Sequence, residues 1–140
     1  MIGNRKTVVM QAIGVALSGC ATATIEAQPI TIDRDAFGGE ALFGGSIESI
    51  DGCIVTGRSN STVLFDQGVT LLPTGDGVFD PATGNSIRFG ERISGGAATL
   101  RDAGRGWPIR DNERFYGVTI PAACPKSNVM RLHHMEPIPE

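Results

Sequence analysis

Turn residues recur about every ten positions between Glu40 and Gly96, and short apolar runs fill the gaps between them. The chain has 140 residues, of which 19 are glycine and 8 proline. Both residues interrupt helices and mark turns, so this density excludes a helix bundle. Hydrophobic residues make up 41% of the chain, enough to build a core and too many for a disordered polymer. Short strands at regular spacing predict an all-β fold, either a sandwich or a small barrel.

The strands can be placed from the punctuation. Leu42 to Ile50 reads as one strand with a Gly44-Gly45 bulge, and Asp51-Gly52 as a tight hairpin turn. Cys53-Ile54-Val55-Thr56 is the returning strand. Thr62 to Phe65 and Val69 to Leu72 follow. Asp80-Pro81-Ala82-Thr83-Gly84-Asn85 turns into Ile87-Arg88-Phe89. Glu91 to Ser94 is a further strand ended by Gly95-Gly96, and Phe115 to Ile120 reads as the last one. Pro125, Pro137 and Pro139 interrupt what remains, so 126–140 is expected to be a tail.

The N-terminus carries an address. Arg5 and Lys6 precede an apolar run from Thr7 to Leu17, which is signal-peptide length and too short to span a bilayer. Leu17-Ser18-Gly19-Cys20 then resembles the lipobox of bacterial lipoproteins. The resemblance implies a signal peptide over 1–19, lipid attachment to the Cys20 sulfur, and a membrane-anchored tether over 20–40. It also implies residence in the bacterial cell envelope. Ala21 after the cysteine fits outer-membrane sorting, facing the periplasm. Removing 1–19 takes away Arg5, Lys6 and no acid, so the net charge moves from −3 to −5. An acidic surface of this kind is a poor partner for nucleic acid.

With Cys20 lipidated, Cys53 and Cys124 remain as a pair. Outside the cytoplasm, two leftover cysteines read as one disulfide. Closing a loop of about 70 residues stabilises by about 4 kcal/mol in the chain-entropy model.

The run Gly45-x-Ile47, Gly52-Cys53-Ile54, Val63-Leu64-Phe65-x-x-Gly68, Ile87-x-Phe89-Gly90 and Pro121-x-x-Cys124 resembles a set of small envelope proteins with OB-like β-barrels. The resemblance covers about 42–125 and implies a closed or partly open barrel over 41–125, with no implied activity.

No motif carries chemistry. The glycine pairs fit neither a P-loop nor a dinucleotide-binding turn, and are expected to be bulges and corners of a curved sheet. No nucleophile elbow is present. Asp76, Asp80 and Asn85 lack calcium-loop spacing and read as turn chemistry. His133-His134, with Met130 and Met135 nearby, could suggest a soft metal site. Neighbours in a strand face opposite ways, however, so a solvated tail is expected and no metal or cofactor is assigned. Arg105 and Arg110 flank Trp107 in an Arg- and aromatic-rich stretch, and these three are the candidate binding residues. The competing reading has Trp107 as a core plug.

Together these features predict a non-catalytic, lipid-anchored envelope protein with a binding or structural role. Its partners would be the membrane, through Cys20, and an envelope protein or glycan. The alternatives are a small cell-wall- or carbohydrate-directed enzyme and a lysozyme-inhibitor-like lipoprotein.

Overall fold

Asp51 and Gly52 adopt φ of 51° and 82°, the left-handed pair that a two-residue hairpin of matching twist requires. The turn joins β3 (Ile47–Ile50) to β4 (Cys53–Thr56), paired from Ile50↔Cys53 to Ile47↔Thr56. A computed structural model describes residues 26–32, 41–99 and 112–140. Among them lie β1 (Ile30–Ile32), β2 (Ala41–Gly45), β5 (Thr62–Asp66), β6 (Thr70–Leu71), β7 (Gly77–Asp80), β8 (Asn85–Arg88), β9 (Ile93–Thr99), the short helix α1 (Asn112–Tyr116) and β10 (Val129–Pro137).

The larger sheet runs β2-β9-β10-β5-β4-β3, with β1 beside β5, and β6-β7-β8 form a separate three-stranded sheet. The fold is therefore all-β, as expected, but the larger sheet is not closed into a barrel. Its path ends at β2 and β3, which follow one another in the chain with only Ser46 between them. The predicted single strand from Leu42 to Ile50 is thus two, pairing at opposite ends of the sheet.

β5 is the buried spine. Thr62, Val63, Leu64 and Phe65 are all buried, and alternation sends them to two cores. Val63 and Phe65 join Ile47, Ile54, Leu132 and Met135, together with Val78 and Ile87 of the small sheet. Leu64 joins Val55, Ala98 and Val129, together with Tyr116, Ile120 and the two cysteines.

Three further expectations, on the tail, the last strand and the tether, are corrected. Residues 126–140 are not a tail: β10 lies between β5 and β9, parallel to the first and antiparallel to the second. Pro137 stands at the end of the strand, where a missing N–H costs least. Phe115 to Ile120 is not a strand, because α1 runs through Tyr116 and ends at Gly117, whose φ of 65° suits a helix C-terminus. The domain also begins before 41. Ala27 and Ile32, inside the predicted tether, are buried, and β1 pairs in parallel with β5 from Ile30↔Leu64.

Gly95 and Gly96 do not end a strand but lie within β9. Opposite them β10 bulges: His133 pairs with Gly96 and Glu136 with Ser94, so β10 carries one extra residue. His134 takes φ of 49° within the bulge. The bulge removes the Met135 peptide from the ladder, and the β7–β8 turn takes it up. Asp80 accepts from Met135 N–H at 2.9 Å and from Ala82 N–H at 3.0 Å. Thr83 Oγ1 and Asn85 Nδ2 donate to the Met135 carbonyl at 3.0 and 3.2 Å. Turn chemistry therefore accounts for Asp80 and Asn85, and it also joins the two sheets.

Asp80 is 2% exposed. Asp80→Ala strands the buried Met135 N–H and removes a hydrogen bond to a charged group, so it should cost about 3 kcal/mol. Urea denaturation checks this: the midpoint falls with the slope unchanged, and Asp80→Asn, which keeps one acceptor oxygen, loses less. Burial also pushes the hydroxyl of Tyr116 up to about 12, against the opposing pull of Arg131. In the unfolded chain it ionises at about 10. Its contribution to stability is complete below that pH and is lost as pH rises towards the folded value. Tyr116 is the single tyrosine of the chain. Tyrosinate absorbance should therefore show one midpoint well above its value in urea.

Candidate functional site

The hairpin that opens β4 brings Cys53 beneath the loop after α1, and Cys53 and Cys124 are joined in a disulfide. Their Cα atoms are 5.5 Å apart across 71 positions of sequence, and both residues are buried. The predicted pair is present. Cys124 is set by a tight turn in which its N–H donates to the Pro121 carbonyl at 2.9 Å.

Outside this bridge the surface forms a groove of about 500 Å³. Pro29 and Ile30 line it before and within β1, Gly52 comes from the hairpin, and Pro121 comes from the loop leading to Cys124. Glu26 and Asp51 are its two acidic lining residues. The walls are mainly apolar, so the groove suits an apolar or extended ligand better than a polar reaction. It also lies where the chain enters the domain, six positions after Cys20.

The start of β5 and the residue before it are tied to the segment that follows Cys124. Thr62 Oγ1 donates to the Pro125 carbonyl at 2.6 Å, and Ser61 Oγ donates to Asn128 at 2.9 Å. Asn112 Nδ2 donates to the Lys126 carbonyl, and Lys126 pairs with Glu113 at 3.3 Å. These contacts fix the segment that carries Cys124 to both α1 and β5.

Of the residues singled out in the sequence, Cys20, Arg105, Trp107 and Arg110 lie outside the described residues. Cys53 and Cys124 are buried next in sequence to the groove residues Gly52 and Ala123. His133 and His134 lie on β10, on neither wall of the groove, and are not part of a tail. The bulge brings their rings together: the Nδ1 atoms are 2.8 Å apart and the rings meet edge to face, with centroids 5.1 Å apart. His133 is buried and His134 exposed. Among the described residues no group of three or more His, Cys, Asp or Glu side chains could hold a metal ion. No described helix is long and apolar enough to cross a membrane. The groove was not legible in the sequence, because its walls come from segments about 20 to 90 positions apart that the disulfide and the β1–β5 pairing help bring together.

Comparison with family models, curated proteins and solved structures finds no match to this chain.

Because the disulfide closes so long a loop, replacing both Cys53 and Cys124 by Ala should lower stability by about 2–5 kcal/mol. In the oxidised protein neither should alkylate even after unfolding. Alkylation of either before reduction would contradict the bridge.

Proposed function

We propose that this protein is a non-catalytic lipoprotein of the bacterial cell envelope. Cys20 anchors it to the membrane, and the β-domain serves a binding or structural role there. The observation that carries the reading is the junction of Leu17-Ser18-Gly19-Cys20 to a disulfide-bonded domain six residues later. A lipid anchor needs an exported cysteine, and a stable disulfide needs an oxidising compartment.

An OB-like barrel is the fold reading that accompanies it. Its support is the strand order β3-β4-β5-β10-β9-β2, with β5 and β10 parallel and β2 and β3 adjoining in sequence. A strand bent at Ser46 would then close the two ends of one curved sheet. The apolar groove beside the disulfide is the proposed binding surface, with Arg105, Trp107 and Arg110 as further candidates. Placement on the periplasmic side of the outer membrane, and an envelope protein or glycan as partner, belong to the same proposal.

One experiment tests both halves. Cells expressing the full chain or Cys20→Ser are labelled with a fatty-acid probe and crosslinked intact. The wild type should be labelled, smaller than its precursor, and crosslinked to a discrete envelope partner. Cys20→Ser should be unlabelled and unprocessed. Normal labelling and cleavage of Cys20→Ser would sink the anchoring half, and absence of any crosslink would sink the binding half.

A further inference from the structure

A strand at the edge of a sheet leaves a row of backbone N–H and C=O groups unpaired on one side. Folded chains guard that row with charge, proline, brevity or a covering segment. The described edge strands follow this rule with one exception. β3 carries Glu48, and Gly90 N–H donates to its Ile47 carbonyl at 2.9 Å. β1 and β6 have only three and two residues. β8 carries Arg88. β2, Ala41-Leu42-Phe43-Gly44-Gly45, has neither charge nor proline, and among the described residues it pairs with β9 alone.

The two faces of β2 differ. Phe43 packs against the core shared by both sheets, and a Cβ at Gly45 would stand 3.1 Å from its ring, so this face looks into the domain. Leu42 and Gly44 share the opposite face. Leu42 is 88% exposed, the most exposed large hydrophobic side chain among the described residues. A Cβ added at Gly44 would meet nothing within 4 Å. An apolar knob and an open space thus stand two residues apart on one uncharged edge.

That spacing is self-complementary. When a five-residue strand pairs antiparallel with its own copy about a two-fold axis at the central residue, position 42 of one chain stands opposite position 44 of the other. Residues placed opposite one another in this way have Cβ positions about 4.5–5.5 Å apart, which lets a leucine lie over a bare glycine backbone. No like charges meet across the seam, because the strand has none.

We propose that β2 is a self-association edge. Two copies of this chain pair β2 to β2, antiparallel about Phe43, with Leu42 of each seated over Gly44 of the other. The two larger sheets become one. Five residues a side is far fewer than the roughly 20–30 of a standard interface, so the dimer is a weak one. The pairing rests neither on the anchor at Cys20 nor on the groove.

The test is sedimentation equilibrium of the full-length chain in density-matched detergent, up to about 0.5 mM so that weak association is reached. The wild type should pass from monomer to dimer as concentration rises. Leu42→Lys changes an exposed side chain and should weaken dimerisation by about tenfold or more, since each dimer loses two buried leucines and gains charge in the seam. Gly44→Val has room in the single chain but takes the space of the second copy's Leu42, and should weaken the dimer similarly. Ser86→Lys, exposed on β8 of the other sheet, should leave it unchanged. Amide exchange in β2 of the wild type should slow as concentration rises. A monomer at every concentration, or equal association of the wild type and Leu42→Lys, would overturn the pairing. Slow exchange in β2 that does not depend on concentration would overturn it too, because the chain's own residues would then cover the edge. A dimer indifferent to Gly44→Val would overturn the register about Phe43.

Discussion

The peptide of Met135 is where the two sheets become one structure. Its N–H and carbonyl are turned out of the β9–β10 ladder and would be stranded without partners beside the core. Asp80, Thr83 and Asn85 supply those partners from a turn that also ends β7 and begins β8. The side chain of Met135 meanwhile fills the core shared by both sheets. Burial and hydrogen bonding act at the same residue, so the bulge and the docking of the small sheet support one another.

Several other features follow from that arrangement. The extra residue in β10 allows Leu132 and Met135 both to reach the same core although three positions apart. It also explains the glycine pair in β9, where a side chain at Gly95 would stand 3.0 Å from the His133 carbonyl and one at Gly96 would overlap the His133 ring. On the other face of the sheet, the disulfide plays the corresponding part. It holds α1 and its following loop over Leu64, Val55 and Ala98, a core too small to hold a five-residue helix by propensity.

The two cores therefore differ in character. Around Cys53 and Cys124, a covalent bond holds apolar surfaces together and leaves an apolar groove outside. Around Met135, buried polar groups hold a bent strand and present two imidazoles.

Local chemistry was readable directly from the residues. Asp51-Gly52 specifies its turn because only left-handed backbone closes a two-residue hairpin, and few residues accept it. The Asp80 to Asn85 turn, the run through Thr62 to Phe65, and the pairing of Cys53 with Cys124 were legible for similarly local or combinatorial reasons. The resemblance of Leu17-Ser18-Gly19-Cys20 to a lipobox is carried by the sequence alone. What tertiary structure decided was everything that depends on a distant partner. β10 has no period-2 pattern to read, because the bulge breaks its alternation, and the bulge exists only through contacts 50 to 55 positions away. The three residues of β1 become a strand only because β5 offers an open edge where β4 leaves it. The meeting of His133 and His134 is the clearest case: the sequence makes them neighbours, regular strand geometry would part them, and a buried carboxylate on another sheet brings them together.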